Sequence, residues 1–222
     1  MPEARRANSA SVVLHGYRYS VYLRIVAMTL VEKNVAWTHV EVDPFAGTIP
    51  DAYLALNPFG RVPTLVHDGF VLYETTAITR YIDEAFAGVA LQPADARDRA
   101  RMNQIIAVAD SYGYWPLVRQ VFSQRVFNPA RGRAGDEAAI AEGLRKSKTV
   151  IAALNRLAAG GPFLAGSALS LADLHLGAMI ACFTAAAEGR AQLSGHPRLS
   201  EWWAAISERP SLLQTDPGLP SP

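Results

Sequence analysis

The sequence has almost no cysteine: Cys182 is the one thiol in 222 residues. That excludes a disulfide framework and a Cys-x-x-Cys redox pair. Cys182 stands within apolar IACFTAA, the setting of a small packing residue rather than a reactive thiol. Long apolar runs are missing too. The nearest candidate, LADLHLGAMIACFTAAA, carries Asp173 and His175 and falls short of the roughly 20 apolar residues that a membrane helix needs; it reads as a buried helix. MPEARRANSASVVLHG offers too few apolar residues before Gly16 for the core of a signal peptide, so the expectation is a cytoplasmic protein with no membrane partner. Neither sign of charge dominates, with 21 Lys and Arg against 20 Asp and Glu. Basic residues form no long run, and a nucleic-acid partner is not expected. His15, His39, His67, His175 and His196 lack the spacing of metal ligands, so no metal site is assigned. The chain contains no internal repeat and no low-complexity tract.

What is present is a strong apolar content, 50% of residues, enough for one large core or two small ones. SVVLHG reads as a short buried strand. From Ser20 to Asn34, Leu23, Val26, Ala27 and Leu30 recur at helical spacing, and VAWTHVEV then alternates in the two-residue rhythm of a strand. This is a β-α-β unit with a parallel pair. After the turn-rich DPFAGTIPDAYLALNPFG, two apolar runs at Thr64–Val66 and Phe70–Tyr73 flank Asp68-Gly69, the dipeptide of a two-residue hairpin. From Glu74 onward Ile78, Tyr81, Ile82 and Phe86 share one helical face.

Beyond residues 88–97, which read as a linker, the periodicity is helical throughout. Residues 96–122 predict one long helix, kinked or ended near Trp115-Pro116. NPARGRAGD is a loop, residues 136–159 a second helix, GGPFLAGSA a second loop, residues 170–189 a third helix and 197–210 a fourth. The proline-rich end reads as a flexible tail from residue 211. The expected division is a mixed-sheet domain over 10–87, the linker, an all-helical domain over 98–210, and the tail over 211–222.

NPFGRVPTL, LYETTAITRYI, LQPADARDRA and SLADLHLGAM, set in this architecture, resemble the cytosolic glutathione transferases. The resemblance runs from about Val12 to Pro210. GYRYSVYLR resembles the serine-type members, such as the plant phi and theta classes. The resemblance implies a thioredoxin-like first domain of order β-α-β-α-β-β-α that holds glutathione, followed by a helical domain that supplies most of the second-substrate pocket. It implies an enzyme that stabilises the glutathione thiolate and conjugates it to an apolar electrophile, with glutathione as co-substrate and no other cofactor. It also implies a two-fold homodimer. A peroxidase or dehalogenase running on the same thiolate, and a non-catalytic binding or interaction module of the same fold, stay open as alternatives.

The resemblance carries over to individual residues. Ser20 is the candidate catalytic hydroxyl: a donor at a helix N-terminus favours the thiolate over the thiol. Serine is also a favoured N-cap, so a plain cap is the competing reading. The neighbouring hydroxyls of Tyr17 and Tyr19 are rivals for the chemistry, or walls of the pocket. Pro63 matches a proline that is cis in the family, which leaves the Val62 backbone to pair strand-like with the cysteinyl part of glutathione. Glu74 and Thr75 open a helix that can receive the γ-glutamyl carboxylate, with the Glu74 carboxylate on its ammonium; both also suit a plain helix start. Gly47-Thr48-Ile49-Pro50 offers no cation where phi-type members place a His-Lys pair. Arg61 is the substitute for the glycyl carboxylate, or else a plain exposed arginine. Arg24 is expected to orient its loop or to pair with an acid inside the first domain. Tyr112 and Trp115, with Tyr114 and Phe122, are candidates for the second-substrate pocket, or core residues. Ser170 to Asp173 forms a capping box with Leu169 and Leu174 as its staple, a folding device.

Overall fold

The computed structural model describes residues 11–158 and 160–220. Strand β1 (Val12–Gly16) lies inside a four-stranded sheet of order β2-β1-β3-β4. It pairs parallel to β2 (Thr38–Glu41) across helix α1 (Val21–Glu32), and antiparallel to β3 (Thr64–His67). A short α2 (Asp51–Leu54) precedes β3, which pairs antiparallel with β4 (Phe70–Tyr73) before α3 (Thr75–Ala85). The expected hairpin is present: Asp68 and Gly69 take φ of 49° and 86°, the two positive values that a tight turn of this hand requires. The sheet and its order are those of the expected thioredoxin-like first domain; residue 10, its expected start, lies outside the described residues.

The helical half opens with α4 (Ala96–Val108), capped by Asp95, whose carboxylate accepts from the Arg97 and Asp98 N–H groups. The helix does not end at Trp115-Pro116. The helix continues as a wider-turned π segment (Ala109–Phe127) with Pro116 inside it, and closes in α5 (Asn128–Ala130). Then follow α6 (Glu137–Leu157), α7 (Leu171–Ala185), α8 (Ala187–Ser194), α9 (Pro197–Ile206) and α10 (Pro210–Gln214). The single helix expected over 170–189 is divided because Ala186 is extended (ψ 139°). Arg190 from α8 donates to the carbonyls of Thr184 and Ala185 and so caps the end of α7. No described helix is long and apolar enough to cross a membrane.

Two apolar cores share α1. Leu23, Val26 and Leu30 pack on the sheet with Leu14, Leu65, Ile78 and Ile82. Val21, Ile25 and Met28 pack into the helical domain with Met102, Met179 and Phe183. The linker is pinned as well. Lys33 at the end of α1 donates to Asp83 Oδ1 at 3.1 Å and to the Val89 carbonyl at 2.9 Å, while Asp83 accepts from the Leu91 N–H at 2.8 Å.

The chain after residue 210 is not wholly a tail. Helix α10 buries Leu212, and Ser211 donates to Glu32 on α1, which also holds the Arg209 guanidinium. Arg24 donates to the Leu212 carbonyl at 2.8 Å and lies 3.7 Å from Asp216, so its acid partner comes from the far end of the chain and not from the first domain. The Arg24–Leu212 contact spans 188 residues, out of reach of any local sequence pattern.

Asp173 is fully buried at the start of α7 and accepts four hydrogen bonds. They come from the N–H groups of Leu164 and Ser170, the Ser170 hydroxyl and the Trp202 indole, at 2.7–2.9 Å. Burial pushes its carboxyl up and those bonds pull it back. Removing the carboxylate orphans several buried donors at once, each worth about 1–3 kcal/mol. Asp173→Ala is therefore expected to lose at least about 3 kcal/mol in denaturant melts; normal stability would overturn this assignment.

Candidate active site

A cleft of about 980 Å³ runs between the two domains. Its first-domain wall is built from the loop after β1, the turn before β3 and the entrance of α3; its far wall is the π segment and the loop that follows α5. Ser20, Arg61, Val62, Pro63, Glu74 and Thr75 all line it, as do Tyr17, Tyr19 and Trp115. Tyr112 does not. It is 67% exposed on the outer side of the same helix, while Tyr114 and Phe122 face in. Asp110, Tyr114, Val118 and Phe122 recur every fourth residue along the cleft wall, and Tyr112, two residues from each of the first pair, falls half a turn away.

Ser20 is the N-cap of α1. Its Oγ accepts from the Leu23 N–H at a long 3.4 Å, and its own N–H goes to the Tyr17 carbonyl at 2.8 Å. The hydroxyl proton is committed to no acceptor among the described residues. The first N–H groups of α1 point from the helix end at which Ser20 sits, where the helix dipole favours negative charge.

The Val62-Pro63 bond is cis, as expected. Among the described residues the N–H and C=O of Val62 pair with no other backbone group. The turn around them is braced from behind by Asn57, whose amide donates to the Arg61 carbonyl at 2.9 Å, and by the Tyr53 hydroxyl, which lies 3.0 Å from the Thr64 hydroxyl.

Glu74 occupies the N-cap of α3 with φ 71° and ψ 112°, and its side chain caps nothing. Thr75 is buried at the first helical position. The first N–H groups of α3 are thus open to the cleft beside an exposed carboxylate, an arrangement suited to a zwitterion.

The tyrosines form walls. Tyr17 packs edge-on to Tyr19 at 5.4 Å and to Phe45 at 6.0 Å, and Tyr19 reaches Phe127 of the π segment at 5.3 Å. Burial, aided by Asp43, holds the Tyr17 phenol above its ordinary range, with Arg131 opposing. Tyr22 is pushed higher still by burial and by Asp110, and packs on Tyr114 at 4.9 Å. Cys182 is no rival, since burial pushes its thiol up to about 12.

The sequence reading missed Asp110. It lines the cleft, meets the Thr76 hydroxyl at 3.5 Å and lies 3.9 Å from the ring of fully buried His175, itself 3.4 Å from Thr79. The signal was an acid inside the otherwise apolar face of AVADSYGYW. Among the described residues no cluster of His, Cys, Asp or Glu could hold a metal ion.

Positive φ at a residue with a Cβ costs roughly 1–2 kcal/mol, a cost glycine escapes. Glu74→Gly is expected to be more stable than Glu74→Ala by about that margin in denaturant melts; equal stability of the two would show that residue 74 is unstrained.

The family model for the glutathione S-transferase N-terminal domain matches residues 14–90, and that for the C-terminal domain matches residues 137–205. Glutathione S-transferase 3 of Zea mays is 31% identical over 217 residues, 96% of each chain. Among solved structures, glutathione S-transferase III in its apo form superposes with a TM-score of 0.82 at 30% identity, over 96% of this chain and 99% of that one. Glutathione S-transferase I from maize, in complex with an atrazine glutathione conjugate, gives 0.80 at 27% identity over 93% and 96%. With both domains matched and the likeness continuous from the sheet through the helices, the chain belongs to the glutathione S-transferase family.

Proposed function

We propose that this enzyme binds glutathione along the first-domain wall, ionises it against Ser20 and conjugates it to an electrophile held by the helical wall. The observation that carries the reading is the convergence of two helix N-termini, those of α1 and α3, on one cleft. The γ-glutamyl end lies at α3, its carboxylate on the open N–H groups beside Thr75 and its ammonium on Glu74. The cysteinyl backbone pairs with Val62. Arg61, the one cation among the first-domain residues lining the cleft, takes the glycyl carboxylate in its guanidinium fork.

This leaves the sulfur at Ser20. A free thiol of pKa about 8.5 is only a few per cent ionised at neutral pH, and each unit of lowering needs about 1.4 kcal/mol of preference for the thiolate. The uncommitted Ser20 proton and the α1 dipole act on the anion and not on the neutral thiol. The thiol proton leaves to solvent, the sulfur bonds to the electrophilic carbon, and the leaving group departs with its electron pair. Proximity supplies the remaining acceleration. Tyr17 and Tyr19 wall the pocket, since their rings are engaged edge-on with Phe45 and Phe127.

Titrating the glutathione complex across pH and following the thiolate absorbance tests these roles. Ser20→Ala is expected to keep glutathione affinity and lose the lowered thiol pKa, with turnover down about tenfold for each unit lost. Arg61→Ala is expected to do the reverse, weakening glutathione binding with the thiol pKa kept. An unshifted thiol in the wild type would hand the cleft to a binding role, and a shift surviving in Ser20→Ala would move the chemistry to Tyr17 or Tyr19.

The enzyme also pairs with a second copy of itself. Phe59, Phe70 and Tyr112 stand largely exposed, surplus aromatic surface of the kind that a two-fold partner covers. Light scattering is expected to give twice the 24.0 kDa chain mass, falling toward the monomer in a Phe59→Ser, Tyr112→Ser double variant; a monomeric wild type would refute it.

A further inference from the structure

The helical wall of the cleft is not purely apolar. Arg119, Arg131 and Arg133 line it, in addition to Arg61 on the opposite wall. Among the described residues none of these four forms an ion pair. Two carboxylates line the same cleft, Glu74 and Asp110, and both belong to the α3 end, Glu74 as its N-cap and Asp110 through Thr76. Glutathione brings two carboxylates and one ammonium, which the α3 entrance, Glu74 and Arg61 already match. Three guanidinium groups are left over.

They are also held in place. Arg119 sits over the Phe45 ring at 5.2 Å and Arg131 over the Phe127 ring at 5.8 Å, so the cations border the aromatic walls that a flat substrate would lie against. The RGRAG loop is folded. The N–H groups of Arg131 and Arg133 both donate to the Asn128 carbonyl, at 3.0 and 2.9 Å, and that of Gly132 to the Pro129 carbonyl at 2.9 Å. Gly132 takes φ +68°, and a Cβ on Gly135 would stand 2.1 Å from the Gln124 carbonyl oxygen. The two glycines let the loop close back onto the helix, which brings both arginines to the cleft mouth.

We infer that the helical wall selects aromatic electrophiles carrying a carboxylate, with Arg119, Arg131 and Arg133 as the specificity-determining residues. The inference rests on the glutathione-transferase reading of the cleft. A guanidinium fork pairs with a carboxylate through two parallel hydrogen bonds, and a cationic, aromatic-lined mouth also raises the local concentration of such an anion. The chemistry is an aromatic substitution: the glutathione sulfur bonds to the ring carbon, the carbon–chlorine bond breaks, chloride leaves with the electron pair and the thiol proton goes to solvent. No oxidant or reductant takes part.

The test compares 4-chloro-3,5-dinitrobenzoate with 4-chloro-3,5-dinitrobenzamide, each rate divided by its uncatalysed rate with glutathione at the same pH. The wild type is expected to favour the carboxylate, less so as salt is added. Arg119→Gln and the double variant Arg131→Gln, Arg133→Gln are each expected to lower the carboxylate-to-amide ratio of kcat/KM roughly tenfold, by loss of a charge-assisted hydrogen bond. A wild type indifferent to the carboxylate, or a preference that survives in both variants, overturns the proposal. A rise in the KM of glutathione, equal for both electrophiles, also overturns it by giving these arginines to the glycyl carboxylate. Loss of wild-type turnover with both compounds would instead bring down the transferase reading, and this proposal with it.

Discussion

The structure depends on a helix that has no solvent face. Helix α1 buries Leu23, Val26 and Leu30 against the sheet and Val21, Ile25 and Met28 against the helical domain. Each such side chain is worth about 1.5–3 kcal/mol when fully buried. Two of its polar residues bond inside the same packing, Thr29 to the Ile25 carbonyl at 2.9 Å and the Arg24 Nη2 to the Leu212 carbonyl, while the Arg24 Nε is buried with no partner among the described residues. Neither domain can withdraw from α1 without exposing an apolar stripe. The position of Ser20, fixed as the cap of that helix, is set by both cores together.

This rigidity lets the site be built largely from backbone. Two sets of helix N–H groups and the unpaired amide of Val62 face the cleft. Backbone donors have no rotamer to lose and are already aimed, so they stabilise a developing anion without reorganising. Glu74 differs, a cleft-lining side chain on a backbone held at φ 71°.

What could be read from the sequence was local. Asp68-Gly69 specifies a turn through its own two φ angles, and Ser170 and Asp173 cap their helix three residues apart. Ser20, Val62, Pro63, Glu74 and Thr75 were legible because each belongs to a short motif at the end of an element. Tyr112 lies off the cleft because it stands two residues from both Asp110 and Tyr114, half a helical turn from the lining face. The Arg24–Leu212 and Arg209–Glu32 contacts were invisible for another reason: they join residues 188 and 177 positions apart, and nothing in the intervening sequence measures that distance. Arg119, Arg131 and Arg133 were in plain view as residues, but only the loop closure shows that they share a cleft.

The clasp of α10 on α1 bears on the order in which the molecule can be made. Glu32 lies within the first sixth of the chain, and its partners Arg209 and Ser211 lie near residue 210. A ribosome therefore releases the glutathione-binding half long before the helices that cover the second face of α1 exist. Until they arrive, Val21, Ile25 and Met28 are open to solvent and to other nascent chains. The first domain must wait through most of the protein's synthesis with its central helix half dressed.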